Sequence, residues 1–196
     1  MIAIIDYKAG NIASVKNALE RLRFDWIVTS QPEEILSAGG VIFPGQGRAG
    51  AAMSELRKTG LDKIISQITK PFLGICLGMQ LLSRYSEEDE TKCIGIFKGK
   101  CRKFPPTLKT PHLGWNKVEL NQESSLTAGI PDGQYFYFAH SYYVDAVESQ
   151  IIGKTSYGFD FSSIMQKNNF FAVQFHPEKS GPQGLRLLNN FCKLCS

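Results

Sequence analysis

Apolar and polar positions in the first half of the chain follow a pattern that predicts repeated strand and helix units. Residues 2–5 form a short apolar run, and residues 11–23 carry apolar side chains every three to four positions, as an amphipathic helix does. Further apolar runs lie at 26–29, 41–43 and 72–75, and helical spacing recurs at 53–68 and 77–85. This order predicts an α/β fold with three layers, in which helices flank a mostly parallel central sheet.

The second half of the chain has shorter apolar runs joined by Pro and Gly, which predicts an antiparallel extension of the sheet. Strands are expected at 95–97, 101–104, 118–120, 135–138 and 171–175. Residues 184–194 again show helical spacing and predict a closing helix. Because no repeat, low-complexity segment or linker interrupts the chain, residues 1–196 are expected to form a single domain.

Composition and charge exclude several classes of protein. Hydrophobic residues make up 43% of the chain and charged residues 20%, which is ordinary for a folded globular domain. The net charge of +4 is small and the basic residues are scattered, so nucleic-acid binding is not expected. No apolar run approaches the roughly 20 residues of a membrane-spanning helix. Five cysteines without regular spacing indicate a reducing cytoplasm and predict neither a disulfide framework nor a metal site.

A cysteine lies where a predicted strand turns into a predicted helix. Residues 74–78 read Gly-Ile-Cys-Leu-Gly, which matches the nucleophile elbow of hydrolases with sulfur in place of oxygen. The flanking glycines leave room for a sharp turn, and the N-terminus of the following helix favours a thiolate at Cys76. The backbone N–H of Leu77 is then a natural donor to an oxyanion. The alternative is a buried structural cysteine between two packing glycines.

A nucleophilic cysteine needs a base, and one of the three histidines has an evident carboxylate beside it. In the pentapeptide 174–178, Gln-Phe-His-Pro-Glu, the proline favours an extended conformation at His176. Side chains two residues apart in an extended segment point the same way, so Glu178 is expected to reach the His176 ring. Cys76, His176 and Glu178 would then be nucleophile, general base and orienting carboxylate. The alternative is a surface His-Pro turn with a solvated glutamate.

A glycine-rich segment at 45–50 reads Gly-Gln-Gly-Arg-Ala-Gly, which matches the G-x-G-x-x-G fingerprint of dinucleotide-binding folds. The context differs, because the segment does not follow the first strand, Pro44 precedes it, and no acidic residue ends a strand about 20 residues later. A glycine loop whose amides turn toward an oxyanion fits the cysteine chemistry better. Gln46 and Gly47 are therefore candidate oxyanion residues, and no cofactor is expected.

Taken in order, these segments resemble the class I glutamine amidotransferases, and more narrowly the glutaminase subunits of imidazole glycerol phosphate synthases. The resemblance covers almost the whole chain. It rests on Asp6-Tyr7, Gly10-Asn11, Pro44 to Gly47, Gly74 to Gln80, Pro111 to Asn116, Tyr137 to Tyr142 and Gln174 to Ser180. The chain departs from the family at Lys8-Ala9, where glycine is common, and at Gln46, where valine is usual.

The resemblance implies a single glutaminase domain over residues 1–196 that hydrolyses L-glutamine to glutamate and ammonia. It implies a heterodimer in which the ammonia passes through a tunnel to a (β/α)8 cyclase subunit. There imidazole glycerol phosphate and an aminoimidazole carboxamide ribotide would form, as in histidine biosynthesis. By the same resemblance, the glutamine pocket consists of Gly47, Gln80, Glu88, His140, Ser141 and Tyr142, and the partner contacts are Asn11, Trp115, Asn116, Tyr137 and Lys179.

Other functions stay open from the sequence alone. A related glutaminase subunit would serve a different synthase, for example one in surface-sugar amidation. A cysteine protease uses the same three residue types, and a binding module without catalysis would need no triad. Trp115 and Tyr137 fit an ordinary aromatic core as well as a partner surface.

Overall fold

The structure, a computed structural model, describes residues 1–8 and 11–195. Ala9 and Gly10, which entered the comparison with the family, lie outside the described residues. The described residues form thirteen strands: β1 (Ile2–Ile5), β2 (Trp26–Thr29), β3 (Gly40–Gly45), β4 (Phe72–Cys76), β5 (Tyr85–Ser86), β6 (Thr91–Lys92), β7 (Gly99–Lys103), β8 (His112–Leu120), β9 (Gln134–His140), β10 (Tyr142–Ala146), β11 (Ile151–Ser156), β12 (Asp160–Lys167) and β13 (Phe170–Val173). They also form six α-helices: α1 (Ile12–Leu22), α2 (Pro32–Ser37), α3 (Ala49–Thr59), α4 (Leu61–Ile65), α5 (Leu77–Leu81) and α6 (Gly181–Leu194). None of the helices in these ranges is long and apolar enough to cross a membrane.

Five parallel strands form one half of the sheet, in the order β2-β1-β3-β4-β13. β1, β3 and β4 are buried along their whole length, as continuous apolar sequences in a parallel sheet require. Alternate residues of β1 enter two separate cores: Ile2 and Ile4 pack with α1 and α6, and Ala3 and Ile5 pack with α2 to α5. The predicted three-layer arrangement is therefore confirmed.

The sheet changes direction at β13, because β12 pairs with it antiparallel. β10 and β7 continue antiparallel, and the short strands β5 and β6 end this side. β11 pairs with β12 and β8, and β8 forms a long antiparallel ribbon with β9. In that ribbon Trp115 lies opposite Tyr137, and His112 lies opposite His140. The antiparallel extension predicted for the second half is thus present.

Some element boundaries in the first half differ from the predicted ones. β3 continues through Pro44 to Gly45 instead of ending at residue 43, because both residues pair with β4. The helix predicted at 53–68 is two helices, since Gly60 ends α3 with a φ of 74°. The helix expected over 77–85 ends at Leu81. Because Gly45 pairs with Cys76, the glycine loop and the cysteine meet at the same edge of the sheet.

The strand predicted at 95–97 is wrong. Gly95 has a φ of 86°, and the N–H groups of Gly95 and Phe97 donate to carbonyls in the segment just after α5. The Phe97 side chain is fully buried. The apolar pattern here reflects burial of an irregular segment that packs beneath the end of α5.

Apart from the two-residue strands β5 and β6, three strands, β10, β11 and β12, carry no prediction from the sequence. β12 shows why: Ser162 and Ser163 are buried in the middle of the strand, beside apolar residues. Polar residues at buried positions hide the apolar pattern on which strand prediction depends. These strands nevertheless connect β13 to β7 and the β8–β9 ribbon, and so complete the second half of the sheet.

Candidate active site

Cys76 lies where β4 ends and α5 begins. Its backbone has φ 55° and ψ −111°, a strained combination that few residues other than glycine adopt. Glycine is needed at 78, because a Cβ there would lie 2.0 Å from the carbonyl oxygen of Phe43. A Cβ on Gly74 would lie 2.8 Å from the Leu82 side chain. The sharp strand-to-helix turn expected from the Gly-x-Cys-x-Gly motif is therefore present.

The imidazole of His176 lies against a carboxylate two residues further along the chain. Nδ1 of His176 is 2.9 Å from Oε1 of Glu178, whose side chain is 1% exposed. The contact does not come from the extended segment that was predicted, because residues Pro177–Lys179 form a 3-10 turn. Ser180 holds this turn by donating its hydroxyl to the His176 carbonyl at 2.6 Å. Glu178 thereby orients the imidazole through Nδ1. The other ring nitrogen, Nε2, is not engaged by this carboxylate.

His176 also contacts Cys76, across the site. Burial of the ring lowers the pKa of His176. Interactions with Cys76 and Glu178 outweigh this effect and raise the pKa to about 10. The imidazole therefore carries a proton at neutral pH. Cys76 and His176 are each 6% exposed and line the same cavity. The three residues predicted as a triad thus form one continuous chain of contacts.

The cavity beside Cys76 has a volume of about 490 Å³. Its lining includes every residue predicted for the glutamine pocket and every predicted oxyanion residue: Gln46, Gly47, Leu77, Gln80, Glu88, His140, Ser141 and Tyr142. Lys103, Thr110, Pro111 and Ala139 also line it, without any prediction from the sequence. A cavity of this size, with several polar groups converging on a nucleophile, suits a small molecule.

Three of the predicted pocket residues are held by contacts within the protein. Nε2 of Gln80 donates to the Tyr142 carbonyl at 3.0 Å, and Oε2 of Glu88 accepts the N–H of Ala49 at 2.8 Å. Nδ1 of His140 is 2.7 Å from the same Tyr142 carbonyl. Burial lowers the pKa of His140 to about 3, so its ring is neutral. These side chains therefore build the pocket wall as well as lining the cavity.

Gln174 is a residue of the site that the sequence analysis did not single out. Its Nε2 atom is 3.8 Å from Sγ of Cys76, and its side chain is fully buried. A signal was available in the sequence, because Gln174 stands two residues before His176. Side chains at that spacing in an extended segment point to the same side.

The residues predicted for partner contact differ in their environments. Trp115 is 55% exposed, so it is not a core residue, and it packs edge-on against half-buried Tyr137 with 6.2 Å between the ring centres. Lys179 is exposed and lines the cavity beside Cys76. Asn116 is half-buried and donates to the Ser156 carbonyl at 3.0 Å. Asn11, also half-buried, immediately precedes α1.

The class of the protein follows from this fold and this site. The family model described as glutamine amidotransferase class-I matches residues 3–195. The chain therefore belongs to the class-I glutamine amidotransferase family.

Within that family the chain is similar over its full length to proteins named imidazole glycerol phosphate synthase subunit HisH. It is 46% identical to that of Maridesulfovibrio salexigens, with 100% of this chain and 97% of the relative covered. It is 48% identical to that of Dehalococcoides mccartyi strain 195, with 99% and 97% covered. It is 49% identical to HisH 1 of Methanococcus maripaludis, with 99% and 100% covered. The chain is thus of the HisH type, a name that describes one component of a synthase and implies a partner.

Solved structures share the fold at lower sequence identity. A protein from Thermoplasma acidophilum, described as a GMP synthase subunit, superposes with a TM-score of 0.78 at 19% identity, covering 99% of this chain and 92% of that one. A structure described as a glutamine amidotransferase also has a TM-score of 0.78, at 15% identity, with 100% and 99% covered. At these identities the likeness establishes the fold alone.

Proposed function

We propose that the chain hydrolyses L-glutamine to L-glutamate and ammonia, with Cys76 as nucleophile, His176 as general base and Glu178 as the carboxylate that orients the base. The observation that carries the proposal is the chain of contacts from sulfur to carboxylate. Cys76 and His176 line the same cavity and interact closely enough for the sulfur to raise the pKa of His176, and Nδ1 of His176 is 2.9 Å from Oε1 of Glu178. A nucleophile, a base within hydrogen-bond reach and a third group that orients the base are what covalent acyl transfer requires.

Formation of the acyl-enzyme is the first half of the reaction. Because the pKa of His176 is raised to about 10, its imidazole holds a proton beside the sulfur when substrate arrives. The Cys76 thiolate attacks the carboxamide carbon of glutamine, a C–S bond forms, and the carbonyl electron pair moves onto oxygen. His176 then gives its proton to the amide nitrogen while the C–N bond breaks. Ammonia leaves, and a glutamyl thioester remains.

Hydrolysis of the thioester is the second half. Neutral His176 takes a proton from a water molecule, and the water oxygen adds to the thioester carbon. When this intermediate collapses, the C–S bond breaks and glutamate is released. The sulfur keeps the electron pair, and the imidazolium restores the resting pair with it. One water is consumed for each glutamine converted to glutamate and ammonia.

An oxyanion forms in both halves, and we assign its donors to the two sides of the elbow. The backbone N–H of Leu77, the first residue of α5, lies next to the nucleophile. The loop carrying Gln46 and Gly47 follows Gly45, which pairs with Cys76 in the sheet. Gly47 has a φ of 97°, which glycine adopts readily, so the peptide before it can turn an N–H toward the cavity.

The rest of the cavity would hold the amino-acid end of glutamine. Glu88 supplies the negative charge that an α-ammonium group needs, and its position is set by its bond to the start of α3. The other residues assigned to substrate are Gly47, Gln80, His140, Ser141 and Tyr142, all in the lining of the cavity.

We assign the outer face of the β8–β9 ribbon to the partner subunit. Leu113, Trp115 and Tyr135 expose 64%, 55% and 58% of their surface there, an apolar patch that is unusual for free solvent. The Tyr137 carbonyl accepts the backbone N–H of His176 at 2.9 Å, so this ribbon is bonded directly to the segment that carries the base. Contact with a partner at this face would therefore act on the catalytic histidine.

The proposed partner is a (β/α)8 cyclase subunit that receives the ammonia by way of a tunnel. In that complex, imidazole glycerol phosphate and an aminoimidazole carboxamide ribotide would form, in the cytoplasm, as part of histidine biosynthesis. The names of the relatives and their full-length similarity support this assignment. Because free hydrolysis would waste glutamine, we expect little glutaminase activity from the chain alone and strong stimulation by the partner.

The test is a comparison of Cys76→Ala with the unchanged chain, each in complex with the copurifying synthase subunit. The variant should lose glutamine-dependent synthase activity by about 10³-fold or more, because the covalent route is closed. It should keep the activity driven by added ammonium, because the acceptor site is on the partner. Full glutamine turnover by Cys76→Ala would overturn the assignment of the nucleophile. Copurification of a sugar-amidating synthase, stimulated by glutamine, would replace the proposed pathway with the alternative.

A further inference from the structure

Two buried histidines and an asparagine form a row of hydrogen bonds that ends at the cavity wall, where His140 is part of the lining. Nδ2 of Asn116 is 3.1 Å from Nε2 of His112, and Nδ1 of His112 is 3.0 Å from Nε2 of His140. Nδ1 of His140 is 2.7 Å from the Tyr142 carbonyl. The residue His112 is 4% exposed and His140 is 5% exposed. These contacts join side chains of the β8–β9 ribbon to the backbone carbonyl of Tyr142, a residue of the cavity lining.

The direction of these hydrogen bonds follows from their two ends. A carbonyl oxygen can only accept, so His140 must carry its proton on Nδ1 and accept on Nε2. His112 then donates from Nδ1 and accepts on Nε2 from the amide of Asn116. Both rings are neutral in this arrangement, in keeping with their burial, which also lowers the pKa of His112 to about 4. The four groups therefore have one consistent set of donors and acceptors.

A second row continues from the same carbonyl to the nucleophile. The Tyr142 carbonyl also accepts Nε2 of Gln80 at 3.0 Å, and that nitrogen is 3.2 Å from Oε1 of Gln174. Nε2 of Gln174 is in turn 3.8 Å from Sγ of Cys76. Gln80 is 4% exposed and Gln174 is fully buried. The two hydrogens on Gln80 account for both of its bonds, so the second row is as consistent as the first.

We call this set of groups the polar relay: Asn116, His112, His140, the Tyr142 carbonyl, Gln80, Gln174 and Cys76. We propose that the polar relay holds the pocket wall and the nucleophile in one geometry, with His112 as a positioning residue and Gln174 as a direct donor to the sulfur. The inference rests on the proposed glutaminase function for its kinetic consequences, and on hydrogen-bond geometry for the rest. A buried polar network with every member satisfied rigidifies the side chains it contains.

The first measurement reads the histidine tautomers directly, by nitrogen-15 NMR of the full chain. Both His112 and His140 should be protonated on Nδ1 and neutral at pH 7. In Asn116→Asp the carboxylate cannot donate, so His112 should move its proton to Nε2 and the contact with His140 should be lost. Finding Nε2 protonation in the unchanged chain, or unchanged tautomers in Asn116→Asp, would overturn the relay.

The second measurement is glutamine hydrolysis by the complex with the synthase subunit. His112→Phe keeps an aromatic ring in the stack between Phe138 and Tyr157 but removes both hydrogen bonds. It should lower kcat/KM by about 10-fold, with most of the loss in KM if the pocket wall loosens. His112→Asn, which keeps a donor toward His140, should recover most of this loss.

The matched control is Tyr157→Phe. The Tyr157 ring stacks on His112 with 4.2 Å between ring centres, and its hydroxyl donates to the Lys109 carbonyl outside the relay. This variant loses one hydrogen bond in the same cluster and should keep kcat/KM within about 2-fold. A loss equal to that of His112→Phe would mean that general packing, and not the relay, controls activity.

A double variant tests whether the two ends act together. Gln174→Leu removes the donor to sulfur and should slow alkylation of Cys76 by iodoacetamide about 5-fold at pH 7, as measured by mass spectrometry of that site. Combined with His112→Phe, the effect on kcat/KM should be smaller than the product of the two single effects, as for parts of one network. Multiplicative effects would overturn the inference.

If the unchanged complex releases no ammonia from glutamine, the proposed function fails. The NMR measurement of the histidine tautomers then tests the polar relay by itself.

Discussion

Oε1 of Glu178 lies 2.9 Å from Nδ1 of His176, inside a turn whose glutamate side chain is almost entirely buried. The contact fixes which ring nitrogen faces the carboxylate and therefore which one serves the sulfur. Oε2 of the same carboxylate has no hydrogen-bond partner among the described residues. On its Nδ1 side the His176 ring is thus held by one contact with this carboxylate, and we expect removal of the carboxylate charge to lower activity strongly.

Glu178→Gln should lower glutamine turnover by the complex about 10²- to 10⁴-fold. The amide has nearly the shape of the carboxylate, but it carries no charge to stabilise the imidazolium and can present an N–H to Nδ1, which favours the wrong tautomer. KM for glutamine should change little, because Glu178 lies behind His176 and outside the cavity lining. The measurement is steady-state kinetics of ammonia release with saturating partner.

The matched control for this variant is Glu148→Gln, which changes a glutamate whose side chain is 71% exposed and paired with Lys154. It should leave turnover unchanged, since an exposed ion pair contributes little to stability. Turnover within 3-fold of the unchanged enzyme for Glu178→Gln would remove Glu178 from the triad.

The His176 ring should stay protonated well above the usual range for histidine. Hydrogen bonds to Cys76 and Glu178 raise its pKa to about 10, against the opposing effect of burial. Because this pKa is higher in the folded chain than in the unfolded one, the stability it contributes is fully present below about pH 6.5 and is lost as the pH rises through about 10. NMR titration of the ring should show no midpoint below pH 8, and Cys76→Ala should move the midpoint down. A midpoint near 6.5 in the unchanged chain would contradict the contacts described for this ring.

Acid should destabilise the protein through the two other histidines. Burial lowers the pKa of His112 to about 4 and that of His140 to about 3. A base with a lowered pKa in the folded state contributes stability that is present above about pH 6.5 and is lost as the pH falls through the folded value. His112→Phe should therefore lose less stability than the unchanged chain between pH 7 and pH 4, by on the order of 3 kcal/mol. Urea unfolding at the two pH values measures this difference, and equal losses would show that His112 is not buried neutral.

Gly78→Ala should destabilise the protein by about 3 kcal/mol or more, because the added Cβ would meet the Phe43 carbonyl, a backbone atom that cannot move aside cheaply. The matched control is Gly60→Ala, where φ is 74° and the added Cβ would contact no described residue beyond its immediate neighbours in the chain. That change carries only the cost of a left-handed conformation, about 1 kcal/mol. Thermal unfolding of both variants separates close approach from backbone strain, and equal effects would contradict the packing described for the elbow.

Features set by neighbouring residues could be predicted from the sequence. The apolar runs at β1, β3 and β4 predicted buried parallel strands, and the glycines around Cys76 predicted the elbow, because each depends on a few consecutive side chains. The pairing of Glu178 with His176 was also predicted, although a 3-10 turn and not an extended segment produces it. The buried serines of β12 show the limit of this approach, since a polar residue in a core position has no local signature.

The sequence by itself determined which groups are present: a cysteine in a sharp turn, a histidine close to a carboxylate, and apolar strands on which these groups lie. The tertiary structure decided that these groups meet. β13 pairs in parallel with β4, with Val173 opposite Ile75, and this register sets Gln174 beside Cys76 and His176 within reach of its sulfur. The pairing joins strands almost 100 residues apart, through side-chain packing and backbone hydrogen bonds that no short stretch of sequence contains.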